Sequence, residues 1–471
     1  MSELLSLLES IKAAIWGPPL LALLIGAGIY LTCCLHGVQF RYLFKALRLV
    51  VKRDKEGSAG DISPFQSLMT SMASAVGTGS IVGVATALTA GGLGAVFWMW
   101  VTAFISMAIK YAESLLAVKY RVIDARGEMC GGPMYYIERG LGWKWMAVLF
   151  ASFASIAAIG TGNLVQVNSI ADAVNNVYEV SPWITGSILT VVTGVVLFGG
   201  IKSIGKLSAF VVPFKALAYI IIGFFVLGLY YQELPHAFGM ILQCAFTGQA
   251  AVGGFLGSSM VIALQMGVSR CVFCSEAGLG IASIASAAAK TSSSGRQAMM
   301  SMTGTLVSTA IICTITALVI AVTGSLGAQD DSGAVLNGAS LVIRAFSNAI
   351  QGGKYVVIVG LILFAYTTVI SWAYYGEKCF EYLFGAKSVT FYRVMYVGLI
   401  VPGSLFALDV VWCFADIMNA LMVIPNMIAL LALSGVIQKE TRAFLESEGE
   451  ELQQAEQAPE AIINSTTVAR V

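Results

Sequence analysis

Ser71-Met-Ala-Ser-Ala-Val-Gly-Thr-Gly-Ser-Ile-Val-Gly83 is apolar enough to lie in lipid and too rich in glycine and hydroxyls to be an ordinary helix there. Gly77 and Gly79 flank Thr78, and each glycine loosens a helix by ~1 kcal/mol relative to alanine. Unwound backbone at membrane depth survives only where protein or a water-filled cavity satisfies it. Small residues also let membrane helices pack closely, so one such segment alone reads equally well as a packing site. A second segment, Ala251-Val-Gly-Gly-Phe-Leu-Gly-Ser-Ser-Met260, carries Gly253, Gly254 and Gly257 and lies five apolar segments further on. Two interrupted segments, each opening a block of five helices, match inverted-repeat membrane carriers, whose ligand sits between half-helices at the midplane.

The composition supports this placement. Of 471 residues, 58% are hydrophobic and 11% charged; the net charge is +1 and the mean hydropathy +0.82. A soluble domain carries about 25% charged residues. A soluble enzyme, a disordered chain and a nucleic-acid binder are thereby excluded. Apolar windows of bilayer length predict eleven helices, at 17–36, 65–90, 94–118, 146–174, 183–199, 207–231, 250–268, 297–323, 354–376, 394–408 and 410–437. The chain then divides into a leading helix and basic loop (1–62), two five-helix repeats (63–231 and 232–437) and a solvated acidic tail (438–471). The first helix has no basic stretch before it and reads as a retained span, not a cleaved signal.

Charge sets the orientation. Arg41, Lys45, Arg48, Lys52, Arg53 and Lys55 follow the first helix and mark a cytoplasmic loop. Counting onward, 22 of the 27 lysines and arginines fall on the cytoplasmic side; Lys12, Arg344 and Lys354 fall outside, and Lys110 and Lys215 lie within helices. The expected location is the cell inner membrane, with the amino terminus outside and the carboxyl terminus in the cytoplasm.

The nine cysteines are scattered, and the Cys271–Cys274 CxxC is far in sequence from His36 and His236. They suggest neither a disulfide framework nor a transition-metal site. Gly77-Thr-Gly79 departs from GxGxxG and no strand precedes it, so it is no nucleotide fingerprint. Half-helix ends offer unpaired N–H groups suited to a carboxylate, and the opposing carbonyls suit a cation or an ammonium. A zwitterionic amino acid presents both charges.

The same residues carry a family resemblance. Phe65-Gln-Ser-Leu through Val76-Gly-Thr-Gly, Gly91-Gly-Leu-Gly-Ala-Val-Phe-Trp-Met-Trp100, Lys110-Tyr-Ala-Glu113, Gly131-Gly-Pro-Met-Tyr-Tyr136, Phe273-Cys-Ser-Glu-Ala-Gly-Leu-Gly280 and Thr367-Thr-Val-Ile-Ser-Trp372 resemble the alanine or glycine:cation symporter family. The resemblance covers most of residues 20–435 and implies an all-α polytopic membrane protein like the bacterial leucine transporter, with a 5+5 inverted repeat plus one leading helix. It further implies substrate carboxylate binding at Gly77, Thr78 and Gly79, a polar wall at Gln166, and closure by Phe255, Thr368 and Trp372. Sodium would lie between carbonyls near Ala73 and Val76 and the hydroxyls of Thr367 and Thr368. Ser80 stands where the family usually has an asparagine that can help ligate a second cation. Lys215 stands where the family more often has methionine.

Lys215 lies about nine residues into its helix, ~13 Å from the inner end. Snorkelling over that depth is strained, so it is expected to face the bundle or a cavity. Our reading of Lys215 puts its ammonium near the sodium position, which makes proton-coupled or cation-independent transport the alternative to sodium symport; a lysine on a wet vestibule is the plainer reading. Lys110 and Glu113, at i,i+3, read as an ion pair. Glu276 reads as a gating or loop-ordering residue, and Asn163 with Gln166 as cavity lining or interhelical hydrogen bonding. The expected function is import of alanine or glycine with sodium by alternating access, with no cofactor, no nucleic acid and no protein partner, in a lipid bilayer. An integral-membrane enzyme lacks a nucleophile–base set or metal ligands in this sequence, and a channel lacks a repeated filter motif.

Overall fold

The computed structural model describes residues 2–51, 59–247, 259–330, 333–406 and 408–447. Apart from one short antiparallel pairing of Val122–Ile123 with Met129–Cys130, its regular structure is helical. Seven helices among the described residues are long and apolar enough to cross a bilayer, or eight if the bent pair Leu5–Ile15 and Pro18–Cys34 counts as one span. Shorter apolar helices occupy other predicted windows, among them Val82–Gly91, Pro182–Phe198 and Met260–Ser275.

The first interrupted segment is broken as expected. Helix Pro64–Ala75 starts on a capping box, in which Ser63 Oγ accepts from Gln66 N–H and the Gln66 side chain accepts from Ser63 N–H. It ends at Val76; a single 3₁₀ turn, Thr78–Ser80, follows, and helix Val82–Gly91 resumes the span. Gly77 has φ −114°, a conformation open to any residue. The glycine is needed for space: a Cβ there would lie 2.3 Å from Thr368 Oγ1.

A second break stands at a place the sequence reading did not name. Most of Ala251–Met260, including Gly253, Gly254, Phe255 and Gly257, lies outside the described residues. Helix Met260–Ser275 is continuous, and the chain opens after it, over 276–282, before the short helix Ser283–Ala287. Glu276 (φ 56°), Gly278 (φ 93°) and Gly280 (φ 75°) all take left-handed conformations here, which costs little at glycine and more elsewhere. Hydropathy alone missed this site because the run after Ser275 is too short and polar to form an apolar window.

Helix Gly94–Lys119 runs through the centre of the bundle, with nearly every residue beyond Ser106 buried. Helix Gly200–Leu229 lies at the edge: Phe210, Phe214, Leu217, Ile221 and Phe224 are exposed on one side, as lipid requires, whereas Ser208, Val212, Lys215 and Tyr219 are buried on the other. Two π-helical turns, Ala158–Leu164 and Leu306–Cys313, interrupt long helices. The tail reading needs adjusting at its start. Residues 434–447 are helical and docked, with Ile437, Thr441 and Phe444 buried and Lys119 paired to Glu440 at 2.6 Å.

Candidate substrate and cation site

Residues from both breaks enclose a cavity of about 10 Å³, room for roughly one water by that measure. Its lining includes Gly77, Thr78, Gly79, Gln166, Thr368 and Trp372, six of the seven residues expected at the substrate; Phe255 is outside the described residues. Ser74, Ala75, Thr161, Phe273 and Glu276 complete the wall. Phe273 was not anticipated, although it lies within the quoted Phe273–Gly280 motif. Its ring would meet a Cβ at Gly79 at 2.7 Å, and a Cβ at Gly162 would lie 2.2 Å from Trp372 Cβ. These glycines let aromatic rings close on the backbone.

The polar atoms around this cavity are partly unpaired. Within the break, Ser80 N–H donates to Gly77 O (3.2 Å) and Ile81 N–H to Thr78 O (3.1 Å). The N–H groups of Gly77, Thr78 and Gly79 have no backbone acceptor among the described residues. Thr78 Oγ1 and Gln166 Oε1 are buried without a partner, while Gln166 Nε2 donates to Thr161 O at 3.0 Å. Buried polar groups are normally paired, so such a cluster marks where a ligand's polar atoms fit. Asn163 serves a different purpose: its amide donates to Tyr396 O at 2.6 Å and ties two helices. Glu276 accepts from Trp372 Nε1 at 2.6 Å and from Ser74 Oγ at 2.7 Å, which joins both breaks to helix Gly353–Phe384 across the cavity.

The expected cation position is occupied by a side chain. Thr367 Oγ1 and Thr368 Oγ1 each lie 3.2 Å from Ala73 O. Lys215 Nζ donates to Val76 O at 2.7 Å and to Thr367 Oγ1, and sits 4.9 Å from the centre of the Phe364 ring. The lysine thus lies among the carbonyls and the hydroxyl expected to hold sodium. Ser80 takes no part in that set; its carbonyl accepts from Thr316 Oγ1 at 2.9 Å.

Lys110 and Glu113 do not pair with each other as expected. Lys110 Nζ donates to Ser275 O at 3.1 Å, at the C-terminal end of helix Met260–Ser275. Glu113 Oε1 accepts from Gly278 N–H (2.8 Å), Gly280 N–H (3.1 Å) and the Asn426 amide (2.8 Å). Each side chain meets the end of the second break whose dipole it complements.

Two ion clusters flank the site. Arg270, counted above with the cytoplasmic charges, pairs with Asp416 at 2.9 Å beside Lys12, which places it at the end assigned to the outside. The helix extends beyond 268 to Ser275, where the second break begins, so Arg270 lies within the helix and not in the loop expected there; the Phe273 and Trp412 rings stack beneath it, 5.2 Å apart. At the opposite end, donor atoms of Asp124, Cys130 and Glu381 gather as a metal site would. Lys378 Nζ lies among them, at 3.1, 3.2 and 3.1 Å, and supplies the positive charge itself. Asp124 lies in the loop beyond the membrane; burial pushes its carboxyl up, but the Glu128 N–H and the Lys378 ammonium outweigh that and hold it well below the usual carboxylate range.

A family model described as the sodium:alanine symporter family matches residues 1–458. The chain belongs to that family. It is 48% identical over 452 residues to the sodium/alanine symporter AgcS of Methanococcus maripaludis, covering 94% of this chain and 98% of that one. It is 38% identical over 424 residues to the probable sodium/glutamine symporter GlnT of Bacillus subtilis, covering 90% and 87%. Among solved structures, MhsT in complex with L-phenylalanine covers 83% of this chain and 100% of its own, with a TM-score of 0.53 at 15% identity. That likeness identifies the fold as the bacterial leucine transporter fold. The protein is a multi-pass membrane transporter of the cation-coupled amino acid symporter type, and not an enzyme.

Proposed function

We propose that the protein is a secondary active carrier that imports a small neutral amino acid, alanine or glycine, by alternating access between two five-helix repeats, with its carboxyl terminus in the cytoplasm. One observation carries the reading: the first break leaves the N–H groups of Gly77, Thr78 and Gly79 unpaired beside the orphaned Thr78 hydroxyl and Gln166 carbonyl oxygen. At the second break, the corresponding role falls to a carboxylate of the chain itself, Glu113. A substrate carboxylate would do at the first break what Glu113 does at the second. Trp372 and Phe273 wall the cavity, which favours a short side chain. A wall of this kind separates neighbouring substrates by only ~1–3 kcal/mol per methylene. The relative named for alanine supports this choice, and the one named for glutamine sets the comparison substrate.

For the coupling ion, the position of Lys215 favours a proton over sodium. An ammonium donating to Val76 O and Thr367 Oγ1 uses the oxygens sodium would need, and two cations do not share one such cage. Loss and return of the Lys215 proton would then supply the coupling step. Uptake of labelled alanine into proteoliposomes, with sodium and proton gradients imposed one at a time, tests this. The expected result is uptake driven by the proton gradient and indifferent to sodium, with the pH dependence lost in Lys215→Met. Strict sodium dependence that persists in Lys215→Met would overturn the proton reading, and no saturable uptake of alanine, glycine or glutamine would overturn the substrate reading.

A further inference from the structure

A groove of about 710 Å³ opens at the end of the molecule remote from Lys12. Its walls are the turn that follows helix Pro18–Cys34 and the helical residues 434–447, joined where the Gln438 amide donates to Cys34 O at 2.9 Å. Arg41, Lys439 and Arg442 are exposed along it, beside His36 and Tyr42, against a single carboxylate, Glu446. None of those three cations forms an ion pair with a described residue. A concave surface with three unpaired cations calls for an anionic partner.

The neighbouring helix says where that surface lies. Leu43–Val51 buries Ala46 and Leu49 against the bundle and turns Phe44 (79% exposed) and Val51 (85%) outward. Leu47 extends this strip at helical spacing, i, i+3 and i+7 from Phe44, and Phe40, in the preceding short helix Val38–Arg41, is exposed as well. Apolar surface of this kind is unfavourable in water at roughly 25 cal/mol per Å². It settles at the boundary between headgroups and acyl chains, the depth of an interfacial helix. The groove beside it is then level with lipid phosphates.

We propose that this groove binds the headgroup of an anionic phospholipid, of the phosphatidylglycerol or cardiolipin class, with Arg41, Lys439 and Arg442 on its phosphates and the Phe40–Phe44 strip beside its acyl chains. The assignment is independent of the substrate reading, because none of these residues touches the central cavity. Native mass spectrometry of the full-length protein in mild detergent, titrated with phosphatidylglycerol or with phosphatidylcholine of the same chain length, tests it. Wild type is expected to prefer phosphatidylglycerol, and a triple variant, Arg41→Gln with Lys439→Gln and Arg442→Gln, is expected to bind it about 100-fold more weakly, from ~1 kcal/mol per surface cation. Its thermal midpoint in phosphatidylcholine, unchanged from wild type, would show that it is folded. Equal binding of the two lipids by wild type, or an unchanged preference in the folded variant, would overturn the proposal. Displacement of the lipid by millimolar inorganic phosphate would also overturn it, by reassigning the groove to a free anion.

Discussion

At the first break Lys215 donates to the carbonyl of Val76, and at the second Lys110 donates to the carbonyl of Ser275. In both, a buried ammonium meets the C-terminal end of a half-helix, where the dipole is negative. The opposite ends differ. Glu113 and the break's own glycines satisfy the second break, whereas the N–H groups of Gly77, Thr78 and Gly79 face a cavity with no acceptor among the described residues. A break completed by the chain is scaffold, and a break completed by a ligand is a site. The carboxylate that is permanent at one break is, on our reading, delivered from outside at the other.

The largest effect expected from that comparison is at Glu113. Glu113→Ala strips Gly278 N–H, Gly280 N–H and the Asn426 amide of their acceptor, a loss of several kcal/mol at ~1–3 kcal/mol for each buried donor left unsatisfied. Thermal unfolding in detergent should show a collapse in stability; a stable Glu113→Ala protein would break the scaffold half of the argument. Next comes Gly77→Ala, whose Cβ would lie 2.3 Å from Thr368 Oγ1. Overpacking of about 1–3 kcal/mol should lower alanine affinity roughly 10-fold to 100-fold. Thr368→Ala in the same chain should recover part of that affinity, and no recovery would mean that close approach is not why the glycine is there. The smallest effect belongs to Gln166→Leu. The change removes a buried acceptor without a partner together with one hydrogen bond, Nε2 to Thr161 O; the two offset, so the thermal midpoint should shift little while alanine affinity falls about 10-fold. A fall in stability instead would move Gln166 from the site to the scaffold.

The first break was readable from sequence because Gly77-Thr-Gly79 interrupts an apolar segment, although close helix packing explained that segment equally well until a second one was set beside it. The reason for the glycines was not readable: it is a threonine nearly 300 positions away, pressed against the backbone. Lys215 was conspicuous as a lone cation in an apolar helix, and its buried face follows from the exposed aromatic strip opposite. Most of Ala251–Met260 lies outside the described residues, and the opening at Glu276, Gly278 and Gly280, where left-handed backbone is required, was not read from sequence because that run is short and partly polar. Spacing put Lys110 and Glu113 on one face of a helix but could not show that each had a backbone partner on another. The docked start of the tail was hidden in the same way, since Ile437 and Phe444 look isolated among polar neighbours until their packing is seen.

Lys215 has one more consequence. A cation attached to its own chain is held at the site by a short tether, at an effective concentration of about millimolar or more whatever the medium contains. It never dissociates and never crosses to the other side; on the proton-coupled reading proposed above, only its proton is exchanged. A carrier built this way need not wait for an ion to arrive and order the Val76 carbonyl and the Thr367 hydroxyl. On the proton-coupled reading, its working range would be set by the acidity of the two compartments and not by their salt, so that a low-sodium habitat would place no limit on the transport cycle.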